Sequence, residues 1–408
     1  MNTESNSKPA LLRVLSLPLI LFYGLGNILG AGIYVLIGKV IGYSGYYALW
    51  AFMLAGGVAA LTALSYAEFS SRFPLSSGAA LYVERGFGKR RLATVIGILL
   101  VFVGITSAAT MTRGFIGYFH VFLDVPGWLL TVLLNSMLGG LAVWGILQSI
   151  RTAALFTLLE VGGLLLIIVS GIYYLDSVSL ESGLHRLPAD AASWKGVMLG
   201  AFLAFYAFLG FEDMVNVAEE VRDVRKNMPV AIILSLVIAA VLYIAVAYIC
   251  LQVFRPGELA LSDAPLAEVY TKLSGHSPYL ISMISMFAVL NGALIQIIMS
   301  SRVCYGMGRE GWLPEWLGDV NEKTRTPVKA TLLVTALIII LAIGFPIEAL
   351  ARSTSYLLLV IFALVNLALL KLKMTTPGKD DVFRVPWPIP LLGFASCLGL
   401  IVAQIMLG

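Results

Sequence analysis

Eleven stretches of this chain are long and apolar enough to cross a bilayer, and that feature leaves few folds open. A crossing helix needs about 20 mainly apolar residues to traverse a hydrocarbon core roughly 30 Å thick. In chain order, spans 1 to 11 fall at about 15–41, 45–70, 92–120, 126–146, 153–175, 196–219, 229–253, 279–305, 328–344, 347–371 and 386–407. Lipid offers the backbone no hydrogen-bond partners, so each is predicted to be helical, and the fold class is an all-α polytopic membrane protein. Composition agrees: of 408 residues 59% are hydrophobic and 12% charged, against roughly 25% charged in soluble domains. No separate soluble domain is expected. Span 1 does not read as a cleaved signal, because its apolar run is too long and its glycines sit in the middle.

Lys and Arg in the connections set the orientation. With the N-terminus in the cytoplasm, inside segments hold twenty of them and outside segments six, with Arg113 inside span 3. This places the N-terminus in, the C-terminus out, and the chain in the cell membrane. A net charge of +4 gives no reason to expect nucleic acid as a partner. Cys250, Cys304 and Cys397 lack disulfide or metal spacing, and His120, His185 and His276 fall at span edges or in loops. No nucleophile–base pair or ligand cluster emerges, so neither an enzyme nor a metal or cofactor is expected. Outside, Pro265 with Leu266, Val269, Tyr270 and Leu273 predicts a short surface helix. Inside, Arg309 to Leu317 predicts an interfacial helix anchored by Trp312 and Trp316.

Two spans carry interruptions. Span 1 has Gly24, Gly26, Gly30 and Gly32 within one membrane thickness. Span 6 has Gly210 followed by Glu212 and Asp213 in mid-span. Gly26 and Gly30 also fit small-residue helix packing. Spans 1 and 6, however, are corresponding members of two five-span halves, and matched breaks in two halves point to a mid-membrane transport site. A broken helix frees N–H groups that suit a carboxylate and carbonyls that suit an ammonium, so a zwitterionic amino acid fits both ends.

Four blocks carry a family resemblance: Gly26 to Tyr34; Ala63 to Gly78 with Tyr82, Gly86 and Gly88; Phe208 to Glu212 with Ala218 to Arg222 and Pro229; and Ser301 to Pro314 with Thr326 and Pro327. In this order they resemble the amino acid–polyamine–organocation transporter superfamily. The resemblance implies a LeuT-type core of two inverted five-helix repeats, about 15–175 and 196–371, discontinuous at spans 1 and 6, with an extra helix at about 386–407. The whole chain, 1–408, is then one transporter domain. It also implies substrate carboxylate on the amides of Gly30, Ala31 and Gly32, and ammonium on carbonyls near Tyr206 and Leu209. Tyr206 matches a gating aromatic, and Ile28 and Gln296 match pocket positions. With Phe208 these make an apolar pocket with one amide, suited to neutral or mid-sized side chains. Many members have twelve spans, so the missing last helix leaves the oligomeric state open.

Charged groups inside a membrane are functional candidates by default. Glu68 and Arg72 lie four apart at the inner end of span 2, as a cytoplasmic gate or a snorkelling pair. Glu160 is the only charge within span 5. By the resemblance it stands where many relatives carry a lysine, in a cation site between spans 1, 5 and 8. Three roles are open to it: carrying a coupling proton, recognising a cation, or forming an inert ion pair with a neighbour such as Arg113. Glu212 matches a family position linked to proton or cation sensing and ranks above Asp213 as the residue facing the cavity. The expectation is an amino acid carrier driven by protons or by exchange, with a polyamine or cationic-amine exchanger as the rival. A non-transporting sensor or helper subunit is the alternative of another class, disfavoured because no signalling domain is read.

Overall fold

Helix fills every expected span in the computed structural model, which describes residues 13–30, 32–75, 78–144, 150–176, 187–375 and 382–408. Span 1 is α1 (Leu17–Leu29) and α2 (Gly32–Ser44), span 2 is α3 (Ala48–Arg72), and the short α4 (Gly78–Phe87) follows it. Spans 3, 4 and 5 are α5 (Arg90–Phe119), α6 (Gly127–Trp144) and α7 (Ile150–Asp176). Span 6 is α8 (Ala191–Phe205) continued by 3-10 turns at Tyr206–Phe208 and Phe211–Glu220. Span 7 is α9 (Val224–Val253), and α10 (Pro256–Leu261) and α11 (Pro265–Ser274) lie between spans 7 and 8. Spans 8 to 11 are α12 (Tyr279–Arg309), α13 (Val328–Gly344), α14 (Ile347–Thr375) and α15 (Pro388–Leu407). Among the described residues, nine stretches meet both the length and the hydropathy of a crossing; one, Leu17–Arg72, holds spans 1 and 2, and α13, at 17 residues, falls just short.

Small residues decide how closely these helices approach, because a missing side chain lets backbones meet where lipid supplies no hydrophobic drive. Spans 1, 2, 6 and 7 form one bundle: Gly24 lies against Met214 and Ser235, and Gly56 against the Phe208 ring. Spans 3, 4, 8 and 9 form another, with Gly97 on Met307, Gly104 on Ser300, Gly292 on Met111 and Gly139 on Thr335. Spans 5 and 10 bridge them. Thr157 of span 5 donates to the Phe22 carbonyl at 3.0 Å, and Thr354 of span 10 donates to Thr106 of span 3 at 2.8 Å. Span 11 packs on spans 2, 6 and 10.

One end of the helix bundle is covered by α10 and α11. The Leu259 carbonyl abuts Gly38 and the Asp263 carbonyl abuts Gly117, each leaving no room for a Cβ. Lys39 adds a bond to the Ala260 carbonyl at 2.9 Å and an ion pair with Glu348 at 3.2 Å. At the opposite end Leu15 and Val221 form a parallel bridge, tying the start of span 1 to the end of span 6. Asp190 caps span 6 by accepting from the Ser193 amide at 2.7 Å, and this bond holds its carboxyl below the usual range.

The expected surface helix is present as α11, with α10 ahead of it. The expected interfacial helix at Arg309 to Leu317 is not. α12 ends at Arg309, Gly311 turns with φ of +72°, and only a 3-10 turn at Glu315–Gly318 follows. A left-handed glycine and Pro314 stop a helix from running through.

Candidate substrate site at the paired helix breaks

The two breaks touch, backbone to backbone. Gly210 adopts φ of +116°, which L side chains rarely reach, and a Cβ there would lie 2.6 Å from the Asn27 carbonyl carbon. Gly32 meets the other break: a Cβ on it would overlap the Cα of Ala207. Both glycines are thus required by close approach. The space beside Gly32 is filled by span 6 backbone, so its missing side chain lets the breaks meet rather than opening a pocket. Gly30 remains helical at φ −59° and ψ −27°, its amide bonded to the Gly26 carbonyl at 3.0 Å. Ala31 lies outside the described residues. The first N–H groups of α2 have no carbonyl within their own helix, as at any helix start.

One hydroxyl joins the breaks. Tyr243 of span 7, fully buried, reaches the Ile28 carbonyl of span 1 and the Ala207 carbonyl of span 6, each at 2.8 Å. Its ring lies edge-on against Phe208, with centroids 5.2 Å apart. Phe208 is therefore held between Gly56 and Tyr243, inside the first bundle. Leu209 is extended, with φ −71° and ψ 153°, and its amide bonds the Tyr206 carbonyl at 3.3 Å. Tyr206, 1% exposed, crosses to the second bundle, where its hydroxyl lies 3.0 Å from Ser107 Oγ.

The two adjacent carboxylates of span 6 part ways. Glu212 folds back so that its Oε2 accepts from the Gly210 amide at 2.8 Å, fastening the break. Asp213, half-buried, reaches span 8, where Gln296 Nε2 donates to it at 3.4 Å. Asp213 rather than Glu212 faces the opposite bundle.

Glu160 sits between spans 1, 5 and 8. A Cβ on Gly26 or Gly30 would approach its Oε2 and Oε1 to 3.8 and 3.9 Å, and Asn291 of span 8 faces it. The residue is 1% exposed, and among the described residues neither carboxylate oxygen has a hydrogen-bond partner of ordinary geometry. Arg113 is exposed on span 3 and does not pair with it. The Glu160 carbonyl accepts from Tyr34 at 2.5 Å, so span 5 is latched to the helix that follows the first break. Glu68 and Arg72 lie elsewhere, at the C-terminal end of span 2 against Lys373 and Val385, away from both breaks.

The family model for amino acid permeases matches residues 15–407. The chain belongs to this family. Among curated relatives, a methylthioribose transporter of Bacillus subtilis is 28% identical over 98% of this chain and 89% of its own length. A branched-chain amino acid permease of the same organism is 28% identical over 93% and 85%. Cationic amino acid transporter 3, mitochondrial, of Arabidopsis thaliana is 27% identical over 93% of this chain, which spans 65% of that relative's length. As a permease-family member with apolar helices throughout, the chain is a multi-pass membrane protein. Sequence reasoning missed Tyr243, Asn291 and Ser107 in this permease fold. Tyr243 left a faint trace: a hydroxyl in mid-span, within the apolar run Val241 to Leu251.

Proposed function

We propose that this chain is a secondary carrier of amino acids that works by alternating access around the paired breaks. The observation carrying the proposal is the meeting of two interrupted helices in mid-membrane, with Gly210 seated on the Asn27–Ile28 peptide and Tyr243 bonded to carbonyls of both. Irregular backbone at membrane depth is tolerated where it serves a site, and such a junction offers amides for a carboxylate and carbonyls for an ammonium. Ala31, Gly32 and Ile28 would hold the substrate's head from span 1, beside Gly30, whose own amide is bonded to the Gly26 carbonyl, and Tyr206 and Leu209 would hold it from span 6, with Gln296 across the pocket. Spans 1 to 5 and 6 to 10 are the two inverted repeats in this reading. The Lys and Arg distribution supports a cytoplasmic N-terminus in the cell membrane.

Transport is coupled to protons through Glu160. A buried carboxylate without an ion partner is costly to retain unless it works, and Glu160 faces Gly26 and Gly30, where α1 runs into the first break. A proton gained or lost there changes what span 1 meets. The substrates named for the relatives differ (a thiosugar, branched-chain and cationic amino acids) and leave the side-chain class open. Uptake of each labelled amino acid into proteoliposomes, with and without internal substrate, tests the proposal. Accumulation or exchange of at least one amino acid is expected, and none in either format refutes it.

A further inference from the structure

The inner end of span 2 carries the densest buried charge cluster among the described residues, and it lies away from the substrate site. Glu68 is completely buried. Its Oε1 accepts from Arg72 Nε at 2.9 Å and Arg72 Nη2 at 2.5 Å, and its Oε2 lies 2.6 Å from Lys373 Nζ at the end of span 10. The same Oε2 accepts from the backbone amide of Val385 at 2.8 Å, while Lys373 also donates to the Val385 carbonyl at 2.6 Å. One turn on, Ser71 Oγ accepts from the Phe383 amide at 2.9 Å and donates to the Arg225 carbonyl of span 7 at 3.0 Å. Side chains of spans 2 and 10 therefore satisfy the backbone of the segment 382–387 that leads into span 11.

A second tie lies deeper in the membrane. Asn366 of span 10 donates to Thr62 at 2.8 Å and accepts from Ser65 at 2.6 Å, both on span 2. Thr62 in turn contacts Cys397 of span 11 at 3.8 Å, and Gly393 of span 11 sits directly on the Asn366 amide. Span 11 is thus joined to span 2 at two depths by buried polar contacts, whose partners would be stranded in lipid if the helices separated. None of these ties reaches spans 3, 4, 8 or 9.

We propose that Glu68 is the anchor of a strap, residues 382–387, that makes span 11 travel with span 2 as one body. Glu68 and Arg72 are then not gate residues that part during the cycle, and span 11 is not a fixed outer helix. The charge pattern explains why the anchor is a carboxylate. Two cations and an amide converge on it, so its neutralisation removes the negative charge that Arg72 and Lys373 share. The inference rests on the alternating-access reading for the motion itself, but the anchor can be tested without it.

The experiment uses the full chain in proteoliposomes, with spin labels on cysteines introduced at exposed inner-side positions; the native cysteines are all buried. One pair, Leu75 and Trp387, joins the end of span 2 to the start of span 11; the other, Trp316 and Trp387, joins the region after span 8 to span 11. Distances are read without substrate and with a saturating mixture of the twenty amino acids. A constant Leu75–Trp387 distance with a shifting Trp316–Trp387 distance is expected. The reverse pattern overturns the proposal. If neither distance shifts and uptake is also absent, the transport reading fails instead. The variant Glu68→Gln then decides the anchor by itself: it should broaden and lengthen the Leu75–Trp387 distribution, and an unchanged narrow distribution refutes the role given to Glu68. Lys373→Met, which removes one cation and its bond to Val385, should move the distribution in the same direction.

Discussion

Removing the Tyr243 hydroxyl should uncouple the two breaks. Tyr243→Phe keeps the ring, and with it the contacts with Phe208 and Phe52, whose centroids lie 5.2 and 6.1 Å away. What is lost is one proton shared between the carbonyls of Ile28 and Ala207. A typical hydrogen bond contributes about 1 kcal/mol net, and leaving a buried acceptor unmet costs about 1–3 kcal/mol. One donor cannot serve two acceptors at full strength, so the variant should lose about 1–3 kcal/mol rather than twice that. A loss of one or two kcal/mol lowers the folding equilibrium roughly 5- to 30-fold. Reversible unfolding in mixed micelles would read it, alongside uptake in proteoliposomes. Both stability and uptake should fall, and Tyr243→Leu, which also removes the ring contacts, should fall further. If Tyr243→Phe matches the wild type in both measurements, the hydroxyl does not hold the breaks together.

Gly210→Ala should be poorly tolerated, because the added Cβ meets span 1 backbone at 2.6 Å in a left-handed conformation; expression and monodispersity should drop well below those of Gly57→Ala, where a Cβ meets nothing within 4 Å. Gly32→Leu should fail by misfolding rather than by loss of binding alone, since its Cβ would overlap Ala207; a well-folded variant that only loses substrate would contradict this. Tyr206→Ala should lower uptake sharply, whereas Tyr206→Phe, which loses only the hydroxyl's contacts with Ser107 and Thr110, should be mild; equal effects would make the hydroxyl the working group.

Much of the architecture was legible because lipid enforces it. Each long apolar run had to be helical, and glycines in mid-span had to mark either close helix approach or a break. At Gly32 and Gly210 they mark both. The directions of side chains were not legible. Phe208 looked like a pocket residue by its place beside the break, yet Gly56, far earlier in the chain, offers the gap its ring fills. Glu68 and Arg72 read as a local pair because they are four apart, whereas the partners that define their role, Lys373 and Val385, come 305 and 317 residues later. Glu212 and Asp213 alternate faces as any neighbours do, but which one turns back to the break depends on the Gly210 amide, and that follows from a backbone angle no spacing reveals. For Glu160 the sequence left an ion pair with Arg113 open; the fold puts Arg113 on an exposed face and Glu160 against the glycines of span 1.

The proposed proton coupling stands or falls on Glu160, and one comparison tests it most directly: uptake of a transported amino acid into proteoliposomes, with and without an inward proton gradient, for wild type and Glu160→Gln. Glutamine keeps the size of the side chain and cannot exchange the proton. The wild type should be stimulated by the gradient, while Glu160→Gln should keep substrate exchange and lose the stimulation. Equal stimulation of both proteins would remove Glu160 from the coupling path.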